Sequence, residues 1–281
     1  MIGKTCIVTG ATDGIGKETA LGLARQGARV IMIGRNPQKT AAAVAAVQAA
    51  SGNPAVESAL ADLSSQASIR ALAAELLERC PRIDVLINNA GGIFKTRAES
   101  VDGLELTFAL DHLGYFLLTN LLLERLKGSA PARIVNVSSM AHLWGRINFD
   151  DLQGRRRYSP WLAYGQAKLA NILFTRELAR RLDGSGVTVN CLHPGAVQSN
   201  FGDGLFKRRG LFVKLSQRFI LTAAQGASTS LYLATSPAVA EVSGEYFAKK
   251  RIARSSRASR DPVLAQRLWS VSEALTAERG G

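Results

Sequence analysis

The stretch Lys4-Thr5-Cys6-Ile7-Val8-Thr9-Gly10-Ala11-Thr12-Asp13-Gly14-Ile15-Gly16 decides the fold. Residues Lys4 to Thr9 are mostly apolar or β-branched and run into a turn spaced by glycines, and from Ile15 to Gln26 apolar residues recur at helical spacing. A strand, a glycine turn and a helix in that order make a phosphate cradle. The glycines let the backbone turn tightly and approach a ligand, and the helix start presents unpaired N–H groups at the positive end of its dipole. A glycine pattern alone is weak evidence; here the strand before it and the helix after it are both present.

Outward from this unit the alternation repeats. Arg29 to Ile33, Ala55 to Leu60, Ile83 to Ile87, Ala132 to Val137 and Val187 to Leu192 read as further strands. Gln38 to Ala50, Ser65 to Cys80, Leu104 to Leu126 and Trp161 to Leu182 read as helices. Continuously apolar strands need cover on both faces, which predicts an α/β fold: a single doubly wound parallel sheet, Rossmann-like, with helices on both faces. Such a sheet takes its ligand at the carboxyl ends of its strands. No Pro/Gly/Ser-rich linker interrupts the chain. Residues 1–281 are expected to form one domain, with 200–222, where the alternation breaks, as a small helical lid and 249–281 as a basic C-terminal extension.

The bulk composition, 47% hydrophobic and 20% charged, is ordinary for a globular chain and excludes a disordered or fibrous one. The most apolar stretch, Leu113 to Leu123, is broken by Gly114, Thr119 and Asn120 and is shorter than the roughly 20 residues of a membrane span, so none is expected. No charged leader followed by an apolar run opens the sequence, and Cys6, Cys80 and Cys191 lack disulfide or zinc spacing. A cytoplasmic protein without a bound metal is the expectation. The net charge of +13 and pI near 10.2 are unusual. Much of the charge lies in Arg155-Arg156-Arg157, Lys207-Arg208-Arg209 and the run from Lys249 to Arg260. With no nucleic-acid motif beside them these read as solvated surface, and no specific nucleic-acid partner is expected.

Further motifs follow the remaining strands: Asn88-Asn89-Ala90-Gly91, then Ser138-Ser139, then Tyr164-x-x-x-Lys168 on a helix, then Pro194-Gly195. Together with Thr9-Gly10-x-x-x-Gly14-Ile15-Gly16 they resemble, in order, the signatures of the short-chain dehydrogenase/reductase family, over Thr5 to about Phe247. His112-Leu113-Gly114, Lys168 to Asn171, Phe174 to Leu182 and Thr188 to Gly195 look most like its retinol dehydrogenases and their bacterial relatives. The resemblance implies a nicotinamide dinucleotide held by Gly10, Thr12, Asp13, Gly14, Ile15 and Gly16. Asn89, Ala90 and Gly91 would lie beside its ribose, and Asp62 and Leu63 at the adenine, Asp62 otherwise capping the helix after Leu63. Pro194, Gly195, Val197 and Ser199 would meet the nicotinamide, with Ser199 where threonine is commoner.

Gly34-Arg35-Asn36 ends the second strand without the carboxylate that would bind an unphosphorylated ribose. Arg35 suits a 2′-phosphate instead, which favours NADP over NAD. At the chemical end, the spacing of Tyr164 and Lys168 puts both on one helix face. The ammonium, with an oxidised nicotinamide, is expected to favour the phenolate and fit Tyr164 for proton transfer. The resemblance implies that Ser139, more than Ser138, bonds the substrate oxygen, and that Lys168 also binds the nicotinamide ribose. Asp111 stands where the family has an asparagine that supports a water chain to the lysine, and is expected to keep the relay with a changed pH dependence.

The lid's Phe201, Leu205, Phe206, Leu211 and Phe212 suggest an apolar substrate, and the retinol dehydrogenase resemblance adds that it would be a small lipophilic carbonyl or alcohol, retinoid-, lipid- or steroid-like. Its basic residues would also suit peripheral contact with an anionic membrane surface. Family members often pair through their long helices, which implies a homo-oligomer. A non-catalytic NADP-binding regulator or scaffold is the rival reading, and an intact Ser139, Tyr164 and Lys168 set counts against it.

Overall fold

Alternate side chains of the central strands feed two separate cores. Cys6, Val8, Val30, Met32, Val85 and Ile87 point into one, while Ile7, Ile31, Ile33, Leu86 and Ile134 point into the other. The period of two along a strand sends neighbours to opposite faces, so a strand apolar at every position must be covered twice. The computed structural model describes residues 1–197 and 221–278 and shows this arrangement. Strands β1 (Thr5–Thr9), β2 (Arg29–Gly34), β3 (Val56–Leu60), β4 (Val85–Asn88), β5 (Ala132–Val137), β6 (Val187–His193) and β7 (Tyr246–Ala248) are parallel. β8 (Arg251–Ile252) adds an antiparallel edge, and the order is β3-β2-β1-β4-β5-β6-β7-β8.

Helices α1 (Gly14–Ala24) and α2 (Pro37–Ser51) cover one face, and α3 (Gln66–Arg79) the other. Chain order reverses between β1 and β4, so the ends of these two strands form the crevice where a doubly wound sheet binds its ligand.

The expected helix from Leu104 to Leu126 is three pieces: a short turn α4 (Leu106–Phe108), a π-helical turn (Ala109–Leu113) and α5 (Gly114–Lys127). The buried Glu105 carboxylate caps the start, accepting from the N–H groups of Thr107 and Phe108 at 2.9 and 2.8 Å. The wider π-turn then carries Asp111 inward. Leu106–Lys127 contains an 18-residue window of mean hydropathy 1.4, long and apolar enough to cross a membrane, yet 72% of that window is buried inside the protein. That burial is what a core helix shows.

α6 (Pro160–Arg181) follows the segment containing the three arginines, whose backbone N–H groups all bond to Asp151. Beyond β6 the periodicity reading stopped short. α7 (Ala223–Thr235) packs on α1, and α8 (Pro262–Thr276) packs on α6, burying Leu268 and Trp269. The 249–281 stretch, expected as a basic extension, therefore supplies an edge strand and a core helix over its described part. The 200–222 lid and Ser199 lie outside the described residues, except Leu221 and Thr222.

Candidate active site

The crevice begins at the glycine turn. Gly10 has φ +62°, and a Cβ there would come within 2.7 Å of Ala90 Cα. A Cβ on Gly16 would run into the Gly10 carbonyl and the Asn89 amide. Both must be glycine for the turn to lie against β4, and the space kept clear is a backbone-lined cradle at the start of α1. Asp13 caps that helix, accepting from Gly14 N at 2.7 Å. Asn89 ties β4 to the turn, donating through Nδ2 to the carbonyls of Thr9 and Gly10 at 2.9 and 3.2 Å. Thr9 Oγ1 accepts from the backbone of Asn89 and Ala90 at 2.8 and 2.9 Å. Thr12, Gly14 and Ile15 fall on the same turn and helix start.

At the far end of the crevice, Arg35 Nη1 stands 3.6 Å from Asp62, both side chains open to solvent. Burial works to raise the Asp62 carboxyl, but bonds from Ser64 and the Arg35 guanidinium outweigh it and hold the acid below its ordinary range. Asp62 does not cap the following helix; Ser65 does, accepting from Ser68 N. Asn36 caps α2 through Lys39 N at 2.9 Å. The Leu63 carbonyl packs so closely on Gly114 that a Cβ there would approach to 2.6 Å. Gly195, at φ +95°, and Pro194 follow β6 into the crevice, and Val197 bridges to Leu221.

The chemical end is built by β5, the π-turn and α6. Ser138 Oγ donates to the Lys168 carbonyl at 2.8 Å and is buried, so it serves the scaffold. The Ser139 hydroxyl instead bonds to Tyr164. Lys168 Nζ lies 5.3 Å from the centre of the Tyr164 ring and 2.9 Å from Asp111 Oδ2. Asp111 Oδ1 accepts from Gly92 N at 2.7 Å, and Gly91 leaves the room: a Cβ there would sit 3.0 Å from the carboxylate. The structure thus brings Ser139, Tyr164, Lys168 and Asp111 together beside Gly91.

The electrostatics differ from the expectation. Burial pushes the Tyr164 phenol up; Lys168 and the Ser139 bond pull it down, Asp111 pushes it up again, and the net direction is upward. Lys168 loses solvation, but Asp111 and the phenols of Tyr115 and Tyr164 hold it firmly protonated. Asp111 itself is raised, because its complete burial outweighs Lys168 and Gly92 N–H. The pull of Lys168 and Ser139 on the phenol is real but smaller than the combined push of burial and the Asp111 charge.

Several neighbours of the candidate site were given no role by the sequence. Asn171 Nδ2 donates to the carbonyls of Asp111 at 2.9 Å and Val137 at 3.3 Å, tying α6 to the π-turn and to β5. His112, His142 and His193 sit around the site on partners far away in sequence. Lone histidines have no spacing to betray such contacts. Among the described residues no cluster of ligating side chains could hold a metal ion.

A sequence profile described as short chain dehydrogenase matches residues 4–210. Mouse retinol dehydrogenase 12 is 48% identical over 271 residues, covering 96% of this chain and 85% of that protein. Among solved structures, an uncharacterized protein from Mycobacterium paratuberculosis is 38% identical with a TM-score of 0.79, covering 98% of this chain and 94% of that one. RhlG of Pseudomonas aeruginosa, solved as an active-site complex with NADP, is 29% identical with a TM-score of 0.73 over 88% of this chain and 94% of its own.

Proposed function

The chain belongs to the short-chain dehydrogenase/reductase family, an oxidoreductase family in which it is retinol dehydrogenase-like, and from that premise we propose an NADP-dependent enzyme that interconverts a lipophilic alcohol and its carbonyl compound. One observation carries the reading: Ser139, Tyr164 and Lys168 converge where a glycine-lined cradle opens between β1 and β4. A dinucleotide bound there would supply or accept the hydride. Gly10, Gly14 and Gly16 keep the cradle clear for its phosphates, and Arg35 stands at the end of β2, where a 2′-phosphate would find a guanidinium.

In reduction, Ser139 Oγ–H bonds the carbonyl oxygen and Tyr164 O–H gives its proton to the developing alkoxide; in oxidation Tyr164 takes the proton from the alcohol. Lys168 supplies positive charge beside the phenol and, by resemblance, donors for the ribose hydroxyls. Asp111 holds that ammonium in place. The lipophilic preference is supported by exposed Met140, Leu143, Trp144, Trp161 and Leu162, on the two segments that carry Ser139 and Tyr164. Trp144 Nε1 reaches the Trp161 carbonyl at 3.4 Å, so the two segments form one apolar rim.

The test is turnover of NADPH with a panel of aliphatic, retinoid and steroidal aldehydes and ketones, against Tyr164→Phe. Oxidation of NADPH that survives in the variant, or none with any member of the panel, sinks the reading.

A further inference from the structure

The peptide that joins Ser139 to Met140 is held at both ends by imidazoles. Its carbonyl accepts from His142 Nδ1 at 2.6 Å and from the His142 backbone N–H at 3.2 Å. Its N–H, on Met140, donates to His193 Nδ1 at 3.3 Å. The partners dictate the protons. A carbonyl only accepts, so His142 Nδ1 is protonated; the Ser256 N–H donates to His142 Nε2 at 3.2 Å, so Nε2 is bare. His193 must be the opposite tautomer, bare at Nδ1. His142 is 1% exposed, with its ring against Tyr246 at 4.9 Å. Burial keeps both rings neutral, His193 falling to about 4.

We propose that His142 and His193 clamp the Ser139–Met140 peptide and thereby fix the Ser139 hydroxyl for the reaction, so that both are positioning residues. The proposal rests on the oxidoreductase reading above. Ser139 lies on extended backbone, φ −156° and ψ 160°, immediately before the 3-10 turn Met140–Leu143. Its Oγ accepts from Ala141 N at 3.2 Å, a bond that limits but does not set its direction. With the plane of the clamped peptide held and ψ at 160°, the tetrahedral geometry at Cα fixes where Cβ points, and the Ala141 N–H bond then restrains Oγ about it. The clamp sets this plane from two sides: His193 ends β6, and His142 is braced by Ser256, in the segment after β8. The C-terminal segment thus buttresses the serine from a distance. Displacing a reacting group by about 1 Å costs as much as 100-fold in rate.

The experiment has two arms. Two-dimensional 15N–1H spectra of the imidazoles, recorded at neutral pH without cofactor, are expected to show neutral His142 protonated on Nδ1 and neutral His193 protonated on Nε2. In steady-state kinetics, His142→Phe is expected to lower kcat roughly 10- to 100-fold with little change in the KM for NADPH. His142→Asn, which keeps a donor toward the Ser139 carbonyl, is expected to recover much of that loss. In a Ser139→Ala background, His142→Phe is expected to cost almost nothing further, since the group it positions is gone. If His142→Phe binds no NADPH and so reports misfolding, His193→Leu against His193→Asn makes the same comparison from the other side of the peptide. Wrong tautomers, losses that multiply in the Ser139→Ala background, or an Asn variant no better than its apolar counterpart each overturn the clamp. Turnover by the unaltered chain, lost in Tyr164→Phe, is established first. A failure there condemns the enzymatic reading, whereas one confined to the histidine variants condemns the clamp.

Discussion

The Lys168 ammonium lies 2.9 Å from the Asp111 carboxylate, with the two side chains 3% and 0% exposed. A carboxylate in this position does more than an amide would, because its charge opposes the ammonium as seen from Tyr164.

The first prediction follows from that opposition. Asp111 raises the Tyr164 phenol, so Asp111→Asn removes an upward push and leaves Lys168 uncompensated, and the phenol becomes more acidic. Alcohol oxidation needs Tyr164 deprotonated and rises with pH through its titration, so the rise is expected at lower pH in the variant. Carbonyl reduction needs the protonated form, and its decline at high pH is expected to move the same way. Profiles of kcat/KM in both directions measure this, and an unmoved midpoint sinks the role assigned to Asp111.

The sheet was legible because a strand buried on both faces must be apolar throughout, as Cys6-Ile7-Val8 and Val30 to Ile33 are. Most candidate site residues stood out as short motifs after strands, and Tyr164 and Lys168 by their spacing on one helix. The break at Asp111 was not legible, because Leu104 to Leu126 keeps helical periodicity while the π-turn inserts its extra residue through contacts with Gly92 and Lys168. α8 was missed for another reason. Arg254, Arg257, Arg260 and Arg267 dominate the composition around it, and its apolar stripe, Leu264, Leu268 and Val271, is short. The direction of the Tyr164 shift needed the depth of the pocket, which no motif records.

Trp269 tests whether α8 belongs to the core. Its ring lies 4.9 Å from Phe116 and 5.8 Å from Phe174, with the Arg181 guanidinium 4.0 Å from its centre. Trp269→Ala leaves a cavity between α5, α6 and α8 and is expected to cost about 3–5 kcal/mol in denaturant unfolding. Trp144, on the exposed rim, gives the contrast. Trp144→Ala is expected to leave unfolding nearly unchanged while raising KM for lipophilic substrates. The reverse pattern would show that the two tryptophans have been assigned the wrong roles.

Acid should unfold the protein partly through His112. Burial depresses this imidazole from 6.5 to about 3, with Ser272 on Nε2 at 2.9 Å. Between these values the unfolded chain takes up a proton that the folded chain refuses, so stability is full above pH 6.5 and falls as pH drops toward about 3. The slope from this one group reaches at most about 1.4 kcal/mol per pH unit. His112→Gln is expected to flatten that part of the unfolding free energy plotted against pH. A variant curve parallel to the parent's over the whole window counts against a neutral, buried His112.

Cofactor choice turns on Arg35. Its ion pair with Asp62 is 3.6 Å long and solvent-exposed, and such pairs contribute about 0–1 kcal/mol, so stability is not the reason for an arginine there. A guanidinium bonding a phosphate is worth about 1.5–3 kcal/mol, which is roughly 10- to 150-fold in binding. Arg35→Leu is therefore expected to raise KM for NADPH by that factor, leave KM for NADH nearly unchanged, and shift the melting temperature little. Asp62 adds to the argument: held ionised beside Arg35, it would repel a 2′-phosphate unless the guanidinium stood between them. Removing Arg35 exposes the incoming phosphate to that charge, so the loss with NADPH should grow at low ionic strength, where the repulsion is least screened. An equal change with both cofactors would mean that Arg35 contacts the adenosine without reading its phosphate.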